Sequence, residues 1–229
     1  MGKLIEEPSL KNRSQVFVDR AHAGRLLAER LLHYRGQSVH LFAIPAGGVP
    51  VAAEIARRLE LPLELIIVRK IQLPYTTEAG FGALNPAGEA IFNEGLLERI
   101  TLSKEDIAAQ TEKAAASMRR REERLRGGQP YPQLAGQTVI VVDDGLASGF
   151  TMRAAVQFLK RQGAGKVIAA VPTGSERTVQ DLLPLVDELV CLNVRSGWSF
   201  AVAAAYENWY DLEEKEVLEI LASLEPQTA

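Results

Sequence analysis

The sequence predicts an α/β fold in which helices cover a mostly parallel sheet. Short runs of apolar and β-branched residues alternate with amphipathic stretches of helical period, and turn residues separate the two kinds of segment. The chain has 229 residues, of which 47% are hydrophobic and 24% charged. Its length and composition are typical of one large globular domain or of a domain that carries a sizeable insertion.

The composition excludes several classes of function. A single cysteine, Cys191, excludes a disulfide framework and a thiolate metal cluster. A net charge of -3 provides no general attraction to nucleic acid. The first residues contain no apolar signal core, and no apolar run approaches the roughly 18 residues of a membrane-spanning helix. We therefore expect a cytoplasmic protein without a membrane or nucleic-acid partner, and the sequence leaves a homo-oligomer open.

The first part of the chain alternates regularly between helices and strands. The predicted elements are a helix over 17–34, a strand over 39–44, a helix over 49–59 and a strand over 63–68. A small-residue turn, Pro45–Gly48, follows the first of these strands. The second strand is expected to end on the basic pair Arg69 and Lys70.

The segment 72–137 interrupts this alternation. The runs Phe81–Leu84 and Glu89–Phe92 flank turn residues and predict a hairpin. A long helix is predicted over Lys104–Leu125, with Ser103 as N-cap and Asp106 completing a variant capping box. Because the segment is much longer than a passive loop, we expect it to act as a lid.

The alternation resumes after the insertion. The predicted elements are a strand over 138–142, a helix over 151–161, a strand over 167–171, a helix over 177–183, a strand over 188–192 and a last helix over 213–224. An aromatic-rich segment, 198–210, precedes the last helix.

The stretch from Val139 to Thr151 carries the chemistry. Its apolar strand ends in two adjacent carboxylates, Asp143 and Asp144, and ligands of open α/β sheets bind at such strand ends. Two neighbouring acids need partners there, because desolvating them without partners costs free energy. The following loop is small and polar and leads into a helix, an arrangement that suits a phosphate. These features together predict a ribose phosphate site. An Asp N-cap in an ordinary strand-to-helix turn would explain neither the acid pair nor the whole loop.

This stretch resembles the phosphoribosyl pyrophosphate (PRPP) signature of the type I phosphoribosyltransferases. The resemblance implies a Rossmann-like three-layer sandwich, PRPP as the donor and Mg²⁺ as the cofactor. It implies that Asp143 and Asp144 bind the ribose hydroxyls. The residues implied for the 5′-phosphate are Gly145, Leu146, Ala147, Ser148, Gly149, Phe150 and Thr151.

Two further features match the resemblance. The turn after the first strand is similar to the family's pyrophosphate loop, which assigns that role to Ala46, Gly47 and Gly48. Arg69 and Lys70 supply positive charge for a pyrophosphate clamp. Mg²⁺ is expected to be held mainly by the donor and water, with Asp143 or Asp144 as a candidate protein ligand.

The resemblance covers about 17–193 and implies a single domain over 1–229. Its core is expected over 17–71 and 138–193, with a flexible lid over 72–137. A hood and a C-terminal helix are expected over 194–224, where Trp198 and Phe200 are candidates to contact the acceptor. The start Phe17–Arg20 and the enlarged insertion resemble a poorly characterised bacterial subgroup of the superfamily.

Three interpretations of function remain open at this stage. The first is transfer of a phosphoribosyl group to a nitrogenous base, and Ala147 argues against 6-oxopurines, whose enzymes usually carry an acid at that position. The second is a regulatory protein that binds PRPP without turnover, suggested only by the arginine-rich end of the long helix. The third is an enzyme that uses the same pocket for another ribose phosphate.

Overall fold

The computed structural model describes residues 2–76, 79–197 and 199–224. Its strands are, in chain order, β1 (Lys3–Ile5), β2 (Val39–Ala43), β3 (Leu63–Leu65), β4 (Arg69–Gln72), β5 (Gly80–Leu84), β6 (Ala90–Phe92), β7 (Thr138–Val142), β8 (Lys166–Ser175) and β9 (Glu188–Arg195). Six of them form one sheet in the order β1-β9-β8-β7-β2-β3, and every neighbouring pair is parallel. The predicted α/β class with a mostly parallel sheet is confirmed.

Helices cover both faces of this sheet. They are α1 (Arg20–Leu31), α2 (Gly48–Leu59), α3 (Glu94–Leu97), α4 (Lys104–Arg126), α5 (Phe150–Arg161), α6 (Glu176–Leu182) and α7 (Glu214–Ala222). Side chains of β7 alternate between two apolar cores, with Ile140 in the core of α1 and α2 and Val141 in the core of α5 and α6. The fold is therefore a three-layer sandwich. Within the described residues, no helix combines the length and the apolar content needed to cross a bilayer.

The strand order reverses at β2, and this reversal positions the site. The chain adds β3 on one side of β2 and β7 on the other. In open α/β sheets such a switch point opens a crevice at the carboxyl ends of the strands, where ligands bind. The turn after β2 and the loop after β7 both begin at this edge.

The insertion forms a second, antiparallel sheet in the order β4-β5-β6. The predicted hairpin is confirmed as β5 and β6, and α4 packs against β4. The predicted capping box of Ser103 and Asp106 is also present. An ion pair between Arg161 of α5 and Glu89 ties the hairpin to the main body.

The structure differs from the sequence expectation at the strand predicted over 63–68. That strand ends at Leu65, and Arg69 starts β4 instead of ending a core strand. The reason is pairing: Arg69 lies opposite Leu84 of β5, so the insertion sheet recruits this part of the chain. Hydrophobicity alone does not reveal which sheet an apolar run joins.

Other elements also differ from the sequence expectation in where they begin or end. Helix α1 begins at Arg20 rather than Phe17, because the Asp19 side chain accepts a hydrogen bond from the His22 amide as an N-cap. Strands β8 and β9 run on to Ser175 and Arg195 because they remain paired along their whole length. The sequence analysis missed β1, whose three residues are too few to show an alternation.

Candidate functional site

The two carboxylates lie where β7 ends, against the turn after β2. The Ile44 amide donates to the Val142 carbonyl at 2.9 Å, which joins the two strand ends. A Cβ on Gly47 would overlap the Asp144 carboxylate, so only glycine allows this approach. The structure thus brings together two sequence-predicted groups, the turn Ala46–Gly48 and the acid pair.

The turn itself is held by short backbone contacts. The Gly48 amide donates to the Ile44 carbonyl at 3.0 Å, and α2 starts at Gly48. A Cβ on Gly48 would lie 2.6 Å from the Val142 carbonyl oxygen. The peptide bond between Pro45 and Ala46 is cis. Small residues are therefore required at this turn by its packing on β7.

Arg20 neutralises one of the acids. Its Nε lies 2.9 Å from Asp144 Oδ2, and only 7% of the arginine side chain is exposed. The same guanidinium donates to the Tyr210 carbonyl at 2.9 Å and lies 3.8 Å from the centre of the Trp209 ring. Tyr206 donates its hydroxyl hydrogen to the Asp144 carbonyl at 2.7 Å. The C-terminal segment therefore holds the acid pair in place through Arg20 and Tyr206.

Burial shifts the protonation of both acids. Burial raises the pKa of Asp143 well above its ordinary value, and the adjacent Asp144 carboxylate raises it further. Burial also raises the pKa of Asp144, although the ion pair with Arg20 opposes that effect. The Asp144 amide donates to Asp143 Oδ1 at 2.8 Å. Ionised Asp143 therefore has less compensation than Asp144, and hydroxyl donors or a cation would stabilise its charge.

The loop after the acids is hydrogen-bonded to the protein on one side and exposed to solvent on the other. The Leu146 amide donates to the Thr173 carbonyl at 2.8 Å, and Leu146 is buried. Thr178 donates its hydroxyl hydrogen to the Ala147 carbonyl at 2.6 Å. Ala147 and Ser148 are exposed. The loop therefore presents its middle residues, while the Leu146 amide is already used within the fold.

Glycine is needed at both ends of this loop. Gly149 has a φ of 75°, in the left-handed region, and its missing Cβ would lie 2.5 Å from the Thr178 Cγ2 atom. At Gly145, a Cβ would lie 2.6 Å from a Val202 methyl group. The sequence alone offered no account of Gly145, and the packed hood residue Val202 supplies one. At Phe150, the ring lies 5.6 Å from the Arg153 guanidinium carbon.

A cavity of about 690 Å³ opens beside this loop. Ala147, Ser148 and Phe150 line one side, and Phe200 lines another. The Arg195 guanidinium carbon lies 5.2 Å from the Phe200 ring centre. The predicted hood residue Phe200 thus shares a cavity with the loop. Trp198, the other predicted hood residue, lies outside the described residues.

Arg69 and Lys70 lie on β4, within the insertion sheet. Burial lowers the pKa of Arg69 from its ordinary value, and the positive charges of Arg121 and Arg120 lower it further, whereas Glu214 raises it. Glu214 also forms an ion pair with Arg121 at 3.1 Å. The charged groups around Arg69 thus come from α4 and α7, so the insertion and the C-terminal helix meet at this residue.

Arg20 was not predicted as a site residue, although the sequence contains a signal for it. Arg20 shares the spacing i, i+3, i+4, i+7 with Ala23, Gly24 and Leu27, which are all buried. A charged residue on the buried face of an amphipathic helix implies an ion partner, because an unpaired buried charge is costly. Its partner, Asp144, could not be identified from spacing, since 124 residues separate the two.

Comparisons with known proteins agree with this geometry. Residues 18–205 match the family model described as the phosphoribosyl transferase domain. Two proteins of Mycobacterium tuberculosis, from strains CDC 1551 and H37Rv, are 37% identical over 207 residues and are provisionally named phosphoribosyl transferases. The matched region is 90% of this chain but 46% of each relative, so the chain spans about half their length.

A solved structure is also similar to this chain. A crystal structure of a Thermus thermophilus protein has 33% sequence identity and a TM-score of 0.72, covering 91% of this chain and 98% of that one. The family model alone matches more than half of the chain, across the turn after β2, the acid pair and the loop after β7. The chain therefore belongs to the phosphoribosyltransferase family.

Proposed function

We propose that the protein transfers a phosphoribosyl group from PRPP to a nitrogen nucleophile and releases pyrophosphate. One observation carries this proposal: Asp144 packs directly against Gly47, at the point where the strand order reverses. Carboxylates for ribose hydroxyls and a turn for pyrophosphate therefore adjoin each other. A donor that carries both groups on one sugar fits this arrangement.

Each part of the donor has a matching group. Asp143 and Asp144 accept hydrogen bonds from the ribose hydroxyls, and Arg20 keeps Asp144 oriented. The exposed loop around Ser148, with the Thr151 hydroxyl at the start of α5, receives the 5′-phosphate at a helix N-terminus. The other predicted loop residues between Gly145 and Phe150 set the backbone conformation of this loop.

The pyrophosphate lies at the turn Ala46–Gly48 in this proposal, with Arg69 and Lys70 reaching it from β4. Arg69 is half-buried among positive charges, a setting that an anion would stabilise. The insertion sheet carries both basic residues, so closure of the segment 72–137 would complete the site and exclude water. Exclusion of water matters because hydrolysis of PRPP competes with transfer.

Catalysis consists mainly of positioning and electrostatics. The bond from ribose C1 to pyrophosphate breaks as the bond to the acceptor nitrogen forms, and positive charge develops on C1 and the ring oxygen. Asp143 and Asp144, adjacent to the sugar, stabilise that charge, and Arg69 stabilises the leaving anion. The proton of a protonated acceptor nitrogen leaves to solvent.

The residues present fit a magnesium ion that arrives with the donor. In the described residues, no cluster of three or more His, Cys, Asp or Glu side chains could hold a metal by itself. Mg²⁺ typically binds through one or two carboxylates together with substrate phosphates and water, which Asp143 and Asp144 can satisfy. When bound, Mg²⁺ would neutralise charge on the pyrophosphate.

The regulatory alternative was suggested by the arginine-rich end of α4, where most of the arginines have acidic partners. Of the arginines at the end of α4, Arg119 pairs with Glu112, Arg121 and Arg124 pair with Glu214, and Arg126 pairs with Glu122. Arg121 and Arg126 are largely buried in their ion pairs, whereas Arg119 and Arg124 remain exposed, so acidic partners offset only part of the positive charge at this helix end. A cytoplasmic location remains a prediction from the sequence.

Donor binding followed by calorimetry tests the proposal. We expect PRPP to bind only with Mg²⁺ and Asp144→Asn to weaken binding by about 10- to 100-fold, because charge-assisted hydrogen bonds are lost. Asp211→Asn, at an exposed position, serves as the matched control. Pyrophosphate release is then followed with a panel of nitrogen heterocycles. Absence of magnesium-dependent donor binding would disprove the proposal, and binding without turnover of any acceptor would favour the regulatory alternative.

A further inference from the structure

The cavity beside the loop is strongly basic, although the whole chain is acidic. Four arginines line it, and we call it the arginine cleft: Arg99, Arg153, Arg177 and Arg195. Two acidic residues, Glu176 and Asp181, also line it. Four positive and two negative side chains leave the cleft with a formal charge of +2, against -3 for the chain.

Several donors in the cleft have no acceptor among the residues that the structure describes. Arg99 and Arg177 make no side-chain hydrogen bond or ion pair with any residue of the ranges 2–76, 79–197 and 199–224. Arg153 contacts Asp181 at 3.7 Å, yet its Nε is buried and lacks a hydrogen-bond partner among the described residues. A buried donor without an acceptor costs free energy, whereas Arg99 and Arg177 are exposed and can be solvated. An anionic ligand in the cleft would accept from the Arg153 Nε and would pair with the two exposed guanidinium groups.

The cleft is assembled from separate parts of the fold. Arg99 follows α3 in the insertion, Arg153 lies on α5, Arg177 lies on α6 and Arg195 ends β9. The four arginines thus come from separate elements that meet at one cavity. Charges along one face of a single helix would instead be ordinary solvated surface. Phe200 adds an aromatic ring to the same wall.

The position of the cleft separates it from the pyrophosphate end of the donor. Neither the turn Ala46–Gly48 nor Arg69 is among the residues that line it. The loop contributes Ala147 and Ser148, so the cleft begins where the 5′-phosphate would lie and extends toward Phe200. The remaining volume is available to a second ligand.

We propose that the arginine cleft selects an acceptor whose aromatic ring carries a carboxylate. This inference rests on the proposed function, because only that function makes the ligand of the cleft an acceptor. The carboxylate binds Arg99 and Arg177, whose planar guanidinium groups match it in a bidentate geometry. The ring lies along Phe200. Binding orients the ring nitrogen toward the sugar, and neutral analogues of the same ring are discriminated against.

The test compares two rings that differ only in charge. Binding of pyridine-3-carboxylate and pyridine-3-carboxamide to the full chain is measured by calorimetry, with Mg²⁺ and saturating ribose 5-phosphate. We expect the carboxylate to bind at least about tenfold more tightly. Arg177→Gln and Arg99→Gln should each weaken the carboxylate and leave the carboxamide unchanged. Arg119→Gln removes the same charge from an exposed ion pair outside the cleft and should change neither.

The proposal would be overturned by equal affinity for the two rings, by binding of neither ring, or by a preference that the cleft variants do not alter. Competition between ribose 5-phosphate and the carboxylate would also overturn it, because the arginines would then serve the sugar phosphate. Failure of the proposed function gives a different result, because neither PRPP nor ribose 5-phosphate would then bind. The affinities of the two rings can still be compared without these ligands, so the two failures are distinguishable.

Discussion

The donor edge, formed by Ala46–Gly48 and Asp143–Asp144, and the arginine cleft are built in opposite ways. The donor edge comes from two short segments that follow adjacent strands, and backbone packing fixes it. Its Asp144 carboxylate is paired with Arg20, and only 15% of the Asp144 side chain is exposed. The arginine cleft comes from four distant elements, and Arg99 and Arg177 in it are exposed.

This difference indicates which part of the molecule can vary in specificity. Changes at the donor edge disturb packed strands and buried charges, so they should affect stability and donor binding together. Changes at Arg99 or Arg177 leave the core untouched, because exposed side chains contribute little to folding. Under the proposed function, substitutions in the arginine cleft are expected to change the acceptor preference without changing donor binding.

The largest effect is expected from Gly47→Ala. The added methyl group would overlap the Asp144 carboxylate, so the turn or the acid must move. We expect loss of detectable PRPP binding by calorimetry. Gly36→Ala is the control, because a Cβ there meets no atom within 4 Å and costs only left-handed backbone strain of about 1 kcal/mol. Unchanged donor binding in Gly47→Ala would contradict the tight packing of this edge.

The next effect is expected from Arg20→Met. Removing one partner of a buried ion pair costs about 3–5 kcal/mol, because the other charge is left uncompensated. Thermal or urea unfolding should therefore show a large loss of stability, and Arg20→Lys should recover part of it. In the double variant Arg20→Met with Asp144→Asn, the loss should be smaller than the sum of the single losses. Simple additivity would show that the pair is not coupled.

A smaller effect of opposite sign is expected from Asp143→Asn. Burial raises the pKa of Asp143, so ionisation of this side chain destabilises the folded, empty site. The neutral variant should gain about 1 kcal/mol of unfolding free energy and lose donor affinity. The wild type should regain this difference as the pH falls from the raised pKa toward the ordinary pKa of an aspartate, because the folded state then binds the proton more tightly than the unfolded chain does. A variant less stable than the wild type at pH 7 would contradict this account.

The smallest effect on folding is expected in the arginine cleft. Arg177→Gln should change the free energy of unfolding by less than about 0.5 kcal/mol, since the side chain is exposed and has no partner in the part of the chain that is described. Urea unfolding measures this directly. A loss of more than about 1 kcal/mol would mean that Arg177 supports the fold, and the contrast between the two regions would disappear.

Much of the fold was predictable because its signals are local. The strand Thr138–Val142 agrees with the prediction, and α5 begins one residue earlier than predicted. Ser103 and Gly127 mark the ends of α4 through hydrogen bonds within a few residues. Strand β4 was not predicted as a strand of its own, because its pairing with Leu84 depends on the folded insertion.

The sequence by itself determined the α/β class, the acid pair Asp143–Asp144 and the loop after it, because these features reside in contiguous residues. Only the tertiary structure decided that Arg20 neutralises Asp144, that Gly47 must lack a side chain, and that four arginines converge on one cavity. These contacts join residues far apart in the chain, and their energies depend on distance and burial. The spacing of residues in the sequence contains neither the distance between them nor their burial, because both arise only when the chain folds.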